Sequence, residues 1–255
     1  MTKFSLKTLR RLAPRLVWRW YQSRAKRQLR QNGELWLLLQ NYLSATRSTG
    51  CAYSDYLTLY YYVRRYRPKE VLEGGTGVST IILAQALREN ERDFGVKGRL
   101  TSMEELAEFY NLACQLLPPP LRPYVEIRFS PTVEDRHAFI RGMRYRNVPE
   151  RDYDFMFIDG PNPRAPSDGS VSCDFDFIYQ VLRATNNRAI SAIIDRRTTT
   201  GLAIQALFGR DKVRYDYIRE LGFVGPCRAA DLTDAAVSYH HVAPHPFRRR
   251  FGGIF

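Results

Sequence analysis

The sequence has no apolar run long enough to cross a lipid bilayer. Its longest candidates, residues 35–39 and 56–63, are far shorter than the roughly 20 residues that a membrane-spanning helix needs. A secretory leader is not predicted either, because the arginines of residues 10–19 interrupt the stretch where its apolar core would lie. We therefore expect a cytoplasmic protein.

Cysteines are few and widely separated. The four of them, Cys51, Cys114, Cys173 and Cys227, form no C-x-x-C pair, and the four histidines show no metal-ligand spacing. This pattern argues against a disulfide framework and against a zinc site. It predicts reduced, mostly buried thiols in a reducing compartment.

Acidic residues are missing from both ends of the chain. Residues 1–30 hold ten Lys or Arg and no acid, and three arginines stand at 248–250. Residues 31–247 hold 26 basic and 26 acidic residues, so the net charge of +13 lies entirely at the ends. We expect the ends, and not the neutral body, to meet an anionic surface. Because no RNA-binding module is recognisable, a nucleic acid partner is not expected.

The basic N-terminal segment also has helical periodicity. Residues 5–30 are predicted to form an amphipathic helix, and a second helix is predicted over residues 34–46. One face carries Leu9, Leu12, Leu16 and Trp20, and another carries Arg11, Arg15 and Arg19. The expected division of the chain is a helical extension, residues 1–50, and a second domain, residues 51–255.

Three interpretations of residues 1–30 stay open. Trp18 and Trp20 favour a membrane–water interface, and the basic side chains are attracted to anionic headgroups, so the segment would dock peripherally on a membrane. An organellar transit peptide has the same Arg-rich, acid-poor composition. A helix that only packs on the second domain is the third interpretation.

Short apolar runs alternate with helical segments from residue 70 onward. Strands are predicted at 71–73, 99–103, 125–129, 155–158 and 189–194, with helices at 79–87, 105–117, 133–142 and 175–183. Segments 213–218 and 235–242 are predicted to close the sheet as a hairpin. Such alternation predicts an α/β fold with a doubly wound, mostly parallel sheet.

A glycine-rich turn follows the first predicted strand and reads Glu73-Gly74-Gly75-Thr76-Gly77-Val78-Ser79. Ligands of open α/β sheets bind beyond this kind of turn. The dinucleotide fingerprint G-x-G-x-x-G fails because Thr80 takes its third glycine position, and a Walker loop would need Gly-Lys-Ser/Thr. The Glu73 carboxylate suits a cationic ligand group better than a pyrophosphate.

The run from Val71 to Thr80 resembles the first motif of class I S-adenosylmethionine-dependent methyltransferases, in the style of their small-molecule O-methyltransferase branch. The resemblance covers about residues 52–225. It implies a Rossmann-like methyltransferase fold with a seven-stranded sheet, and S-adenosyl-L-methionine as cofactor. The cofactor-binding positions it implies are Glu73, Gly74, Gly75, Thr76, Gly77, Ser79, Glu104 and Ser130, with Glu104 on the ribose hydroxyls.

Two aspartates end neighbouring strands in this resemblance and are the predicted catalytic residues. Asp159 lies in the segment 153–161, which is similar to the family motif D-x-x-F-I-D-G, and Asp195 ends the next strand. In the metal-dependent enzymes of the family an asparagine follows the second aspartate, whereas Arg196 and Arg197 stand here. We therefore assign no metal, although a divalent ion stays an alternative, as does a purely structural ion pair between Asp195 and Arg196.

The resemblance also bears on the methyl acceptor. Asp159 is followed by Gly160, Pro161 and Asn162, and not by the Pro-Pro-aromatic turn of enzymes that methylate amines, so a hydroxyl is expected. Tyr53, Asn162 and Arg196 are the predicted substrate contacts. The expected activity is methyl transfer to a small-molecule, glycan or lipid-linked acceptor. The alternatives are a cofactor- or nucleotide-binding module without catalysis and an RNA methyltransferase, and the oligomeric state is left open.

Overall fold

A computed structural model describes residues 6–46 and 52–233 of the chain. The helices are α1 (Leu6–Gln31), α2 (Gly33–Ala45), α3 (Tyr53–Tyr66), α4 (Val78–Phe94), α5 (Ala107–Leu116), α6 (Asp176–Arg183) and α7 (Thr198–Phe208). The strands are β1 (Glu70–Gly74), β2 (Arg99–Glu104), β3 (Val125–Phe129), β4 (Thr132–His137), β5 (Ile140–Tyr145), β6 (Phe155–Ile158), β7 (Cys173–Asp174), β8 (Ile190–Asp195), β9 (Val213–Asp216) and β10 (Leu221–Cys227). None of the described helices is long and apolar enough to span a bilayer.

Seven strands form the main sheet, in the order β3-β2-β1-β6-β8-β10-β9. The first five are parallel to one another, and β10 runs antiparallel to both β8 and β9. The expected α/β architecture with a mostly parallel seven-stranded sheet is confirmed. Its parallel strands all end at one edge, where Gly74 of β1 pairs with Met103 and Ile158 on its two sides.

The sheet is buried on both faces because successive side chains of a strand point to opposite sides. In β6, Phe155 and Phe157 pack on one face with the helices α1–α4, whereas Met156 and Ile158 pack on the other with α6 and α7. This double burial explains why the central strands are continuous apolar runs in the sequence.

The N-terminal helices α1 and α2 pack on the same face of the sheet as α3 and α4. Leu29 of α1 and Leu35 and Leu39 of α2 are completely buried in that core. The gap between the two predicted helices falls at Asn32, the N-cap of α2, whose side-chain oxygen accepts a hydrogen bond from the Leu35 amide at 3.1 Å.

The prediction of a helix over residues 133–142 was wrong. This segment forms the hairpin β4–β5, which turns at Ala138 with a positive φ of 50° and joins β7 in a second, three-stranded sheet. Cross-strand ion pairs stabilise it, with Arg144 2.5 Å from Asp135 and Arg141 3.3 Å from Glu134. These partners, and the pairing with a strand some 30 residues later, override the local helical pattern.

The strand that closes the main sheet beside β9 is β10, and it was not predicted. Segment 235–242, the partner predicted from the sequence, lies outside the described residues. Strand β10 contains Gly222, Gly225 and Pro226, which interrupt a strand pattern in the sequence. The absence of a side chain at Gly222 has a packing reason, since an added Cβ would lie 3.3 Å from the Ile194 side chain.

Candidate active site

The glycine-rich turn joins β1 to α4 at the carboxyl edge of the sheet. A Cβ at Gly74 would lie 2.5 Å from the Gly160 carbonyl oxygen, and Gly75 has a φ of +89°, so these two glycines let the turn lie against the turn after β6. Gly77 differs, because no atom lies within 4 Å of the position of its Cβ. The turn therefore leaves open space at Gly77, directly before the first turn of α4.

Glu73 lies completely buried beneath this turn. One oxygen, Oε2, accepts hydrogen bonds from the hydroxyls of Thr80 and Ser102, each at 2.6 Å. The Thr80 hydroxyl also accepts from the Gly77 amide at 3.0 Å, so Glu73 holds the shape of the turn through Thr80. Its other oxygen, Oε1, has no hydrogen-bond partner among the described residues. Burial raises the pKa of Glu73 to about 7.

Glu104 ends β2 and lies beside the same turn. Its Oε2 accepts hydrogen bonds from both the amide and the hydroxyl of Thr76, at 3.1 Å each, and its Oε1 accepts from the Leu106 amide at 2.9 Å. Burial raises the pKa of Glu104. Its Oε1 also accepts from the Glu105 amide at 3.1 Å, so all four lone-pair sites of the carboxylate are used, and a ligand hydroxyl would replace one of these donors. The structure thus brings Glu104 and the glycine turn together.

The two predicted serines occupy different settings. Ser79 lies buried in the first turn of α4. Ser130 follows β3, and its amide donates to the Glu104 carbonyl at 2.9 Å. Its hydroxyl donates to the Pro131 carbonyl and accepts from the Asn147 amide, both at 3.0 Å. Ser130 is therefore bound to the backbone of Glu104, and its own hydroxyl is hydrogen-bonded to backbone groups.

Asp159 follows β6 and is held by an arginine from the end of β8. Arg197 donates from Nη2 to the Asp159 carbonyl and from Nη1 to the Pro161 carbonyl at 2.7 Å, and Nη2 lies 3.8 Å from the Asp159 carboxylate. The buried Asp174 anchors the same guanidinium at 2.7 Å. Burial, with the charge of Asp195 adding to it, raises the pKa of Asp159 to about 8 despite the opposing charge of Arg197.

Asp195 ends β8 and is buried, whereas Arg196 is exposed. The Arg196 Nε lies 3.3 Å from Glu220 and 3.8 Å from Asp195. Asp159 and Asp195 directly follow Ile158 and Ile194, which pair across the parallel strands β6 and β8, so the two aspartates are neighbours. The predicted pair of carboxylates at adjacent strand ends is therefore present at one edge.

Sequence reasoning did not assign Asp55, on the first turn of α3. It is completely buried and accepts hydrogen bonds from the Ala52 amide at 2.7 Å and the Ser54 hydroxyl at 2.9 Å. Burial raises its pKa to about 7, and the nearby charge of Asp195 adds to that effect. In the sequence, an acid in the first turn of a helix indicates only a cap, so no local pattern predicts that the charge of Asp195 acts on Asp55.

A divalent metal does not fit these donors. Among residues 6–46 and 52–233, no group of three or more His, Cys, Asp and Glu side chains could hold a metal ion. Beside Asp159 the positive charge comes instead from Arg197, which Asp174 fixes in place. A guanidinium at this position competes directly with a cation.

The other predicted substrate contacts lie at the margins of the site. The Tyr53 ring packs 6.1 Å from that of Trp36, with the Lys26 ammonium 5.2 Å from its centre, so it contacts α1 and α2. Asn162 is exposed, and its backbone amide donates to the Glu105 carboxylate at 3.0 Å.

A further pair of side chains fixes the loop after β6. The Tyr145 hydroxyl donates to the Glu105 carboxylate at 2.8 Å, and Glu105 in turn accepts from Asn162. Neither role was predicted, because Tyr145 lies in β5, which the sequence pattern did not show as a strand. The hairpin therefore supports the loop that carries Asp159.

Comparison with known proteins finds no matching family model and no matching curated sequence. Among solved structures, the chain is similar to the SAH-bound methyltransferase PaMTH1 of Podospora anserina, with 14% identity, a TM-score of 0.42, and coverage of 83% of this chain and 77% of that one. It is also similar to the plantazolicin methyltransferase BamL in complex with a triazolic desmethylPZN analog and SAH, with 16% identity, a TM-score of 0.30, and coverage of 75% and 63%. Likenesses this weak leave the activity to be argued from the site itself.

Proposed function

We propose that this protein transfers a methyl group from S-adenosyl-L-methionine to a hydroxyl of a small-molecule, glycan or lipid-linked acceptor. One observation carries the proposal. The open turn at Gly77 and the Asp159–Asp195 pair lie at the same carboxyl edge of the sheet. Glu104 holds the turn by accepting a hydrogen bond from the Thr76 amide. A cofactor cradle and a proton acceptor therefore lie at neighbouring strand ends, where open α/β sheets bind ligands.

The charge of the site favours a cationic cofactor over a dinucleotide. Glu73, Glu104, Asp159 and Asp195 surround this edge, and burial raises the pKa of three of them. A pyrophosphate would add negative charge to this cluster, whereas a sulfonium or an ammonium group would stabilise it. We assign the cofactor's ribose hydroxyls to Glu104 and its amino-acid end to the unsatisfied Oε1 of Glu73.

When bound, the cofactor supplies an electrophilic methyl group on a positively charged sulfur. Asp159 would take the proton of the acceptor hydroxyl, while the sulfonium would supply its methyl group to that oxygen and keep the carbon–sulfur electron pair. A base with a pKa of about 8 is suited to this step near neutral pH. Arg197 keeps the carboxylate in place through its bonds to the Asp159 and Pro161 carbonyls, so most of the rate enhancement comes from positioning.

The test compares Asp159→Asn with Asp152→Asn, whose side chain is 78% exposed and ion-paired with Arg188. Methyl transfer from labelled S-adenosylmethionine into fractionated small-molecule, glycan and lipid extracts supplies the rate. Asp159→Asn should lower kcat by about 10²- to 10⁴-fold while cofactor affinity stays within about threefold. The control should match the unmodified protein in both.

Three outcomes would contradict the proposal. Equal losses of turnover and cofactor affinity in Asp159→Asn would assign that residue to binding instead of chemistry. Tight cofactor binding with no transfer into any fraction would identify a binding module without catalysis. Transfer into RNA alone would replace the acceptor class.

A further inference from the structure

Helix α1 packs on the body through one face of its C-terminal half. Ala25 and Leu29 are buried, and Gln22 exchanges hydrogen bonds with Ser54, donating to its hydroxyl at 2.7 Å and accepting from its amide at 3.1 Å. These three residues follow one another at i, i+3 and i+7, which places them on one side of the helix. Packing on the body therefore accounts for this face of α1.

The opposite face of α1 carries large apolar side chains in solvent. Leu16 is 61% exposed and Trp20 is 54% exposed, and their side of the helix continues with the exposed Arg24 and Arg27. At 100° per residue, Trp20 lies about 160° around the helix from Gln22. Every residue from 15 to 20 is exposed, including Trp18 at 39%. We call Leu16, Trp20, Arg24 and Arg27 the outer stripe.

The charge around the outer stripe has one sign. The first acid of the chain is Glu34, and none of the basic side chains of residues 15–30 lies within 4.0 Å of a carboxylate in the described part of the chain. The Arg24 guanidinium lies over the Trp20 ring, 5.4 Å from its centre. The stripe thus combines exposed indole, aliphatic and guanidinium groups without a neutralising acid.

We propose that the outer stripe docks the protein on the surface of an anionic lipid bilayer. Tryptophan and leucine insert at the headgroup boundary, and the flanking arginines bind lipid phosphates. A nucleic acid would meet the arginines but would leave Leu16 and Trp20 in water, and residues 31–247 carry as many acidic as basic residues. Charge and apolar surface together therefore select a membrane.

Docking through this stripe places the lipid surface across helix α1 from the body that carries the candidate site. Gln22, on the face that packs on the body, binds Ser54, whose hydroxyl donates to Asp55. The charge of Asp195 helps to raise the pKa of Asp55. Because Trp20 and Gln22 lie on opposite faces of α1, the helix, about 10–12 Å across, separates them. This consequence rests on the proposed function, and it favours a lipid-linked or amphiphilic alcohol among the acceptors.

Co-sedimentation of the full chain with vesicles tests the docking independently of methyl transfer. The vesicles are phosphatidylcholine alone and phosphatidylcholine with phosphatidylglycerol at about 3:1. Leu16→Ser with Trp20→Ser should lower partitioning onto the anionic vesicles on the order of 30-fold. Arg24→Gln with Arg27→Gln should lower it by about 25-fold, and high salt should reproduce that loss.

The matched controls change exposed residues elsewhere. They are Val171→Ser with Leu202→Ser, and Arg122→Gln with Arg146→Gln, and both should bind vesicles like the unmodified protein. An unmodified chain that stays in solution with anionic vesicles at low salt would overturn the proposal. So would vesicle binding that the stripe variants retain, or a stripe that binds single-stranded RNA in preference to vesicles. Equal thermal midpoints of all variants verify that the fold is intact.

Discussion

Among substitutions at the turn, Gly77→Ala is the one that should lower cofactor affinity without disturbing the packing of the protein. The backbone of Gly77 has a φ of 170°, which is extended and open to any residue. No described atom lies within 4 Å of the added methyl group. The variant should therefore fold with an unchanged thermal midpoint, and the methyl group should enter only the space that we assign to the cofactor.

The size of the effect follows from crowding a close contact. Overfilling a packed contact by one methyl group costs about 1–3 kcal/mol, which corresponds to about 5- to 150-fold weaker binding. The loss should appear in the dissociation constants of both S-adenosylmethionine and its demethylated product, because both share the part of the molecule beside the turn.

Calorimetry measures this loss of cofactor affinity on three proteins, namely the unmodified chain, Gly77→Ala and Gly33→Ala. Gly33 is the matched control, since it also has no atom within 4 Å of its Cβ position but lies at the start of α2. Gly33→Ala should bind the cofactor normally. Unchanged affinity in a folded Gly77→Ala would show that the ligand does not approach this turn, and the reasoning would fail.

Three further predictions concern stability. Gly74→Ala should lower the free energy of unfolding by about 1–3 kcal/mol in chemical denaturation, because its Cβ would lie 2.5 Å from the Gly160 carbonyl oxygen; stability equal to that of the unmodified chain would contradict it. Thermal stability should fall as pH rises from about 5 to 8. Burial raises the pKa of Asp55 and of Glu73 to about 7, so the folded state binds protons that the unfolded state releases, and each group contributes about 3 kcal/mol of stability that is lost over this pH range. A flat or rising profile would refute this sign. Arg197→Gln should destabilise the protein by about 3–5 kcal/mol, since it leaves a buried carboxylate without its cation, and a midpoint equal to that of the unmodified chain would show that the ion pair is dispensable.

The sequence predicted what buried strands and glycines determine locally. The apolar runs of β6 and β8 are recognisable because both of their faces are buried, and the turn after β1 is recognisable because Gly74 and Gly75 satisfy geometric requirements of the backbone. Asp159 and Asp195 could be placed at one edge because parallel strands end together. These features need no knowledge of distant contacts.

The parts that sequence reasoning missed depend on contacts between distant segments. The hairpin β4–β5 pairs with β7 about 30 residues further on, and its charged residues find partners across the strands and in the loop at Asp168. The charge of Asp195 acts on Asp55, which lies on a helix 140 positions earlier in the chain. The anchoring of Arg197 by Asp174 likewise joins two loops that no local pattern connects.

The central claim is that the glycine turn and its buried carboxylates hold S-adenosylmethionine, and calorimetry with the unmodified chain tests it most directly. We expect S-adenosylmethionine and S-adenosylhomocysteine to bind with micromolar dissociation constants, about −8 kcal/mol, and NAD to give no heat. Thermal stabilisation by the first two ligands should accompany the heat. Clear binding of NAD, with neither heat nor stabilisation from the two sulfur ligands, would contradict the account.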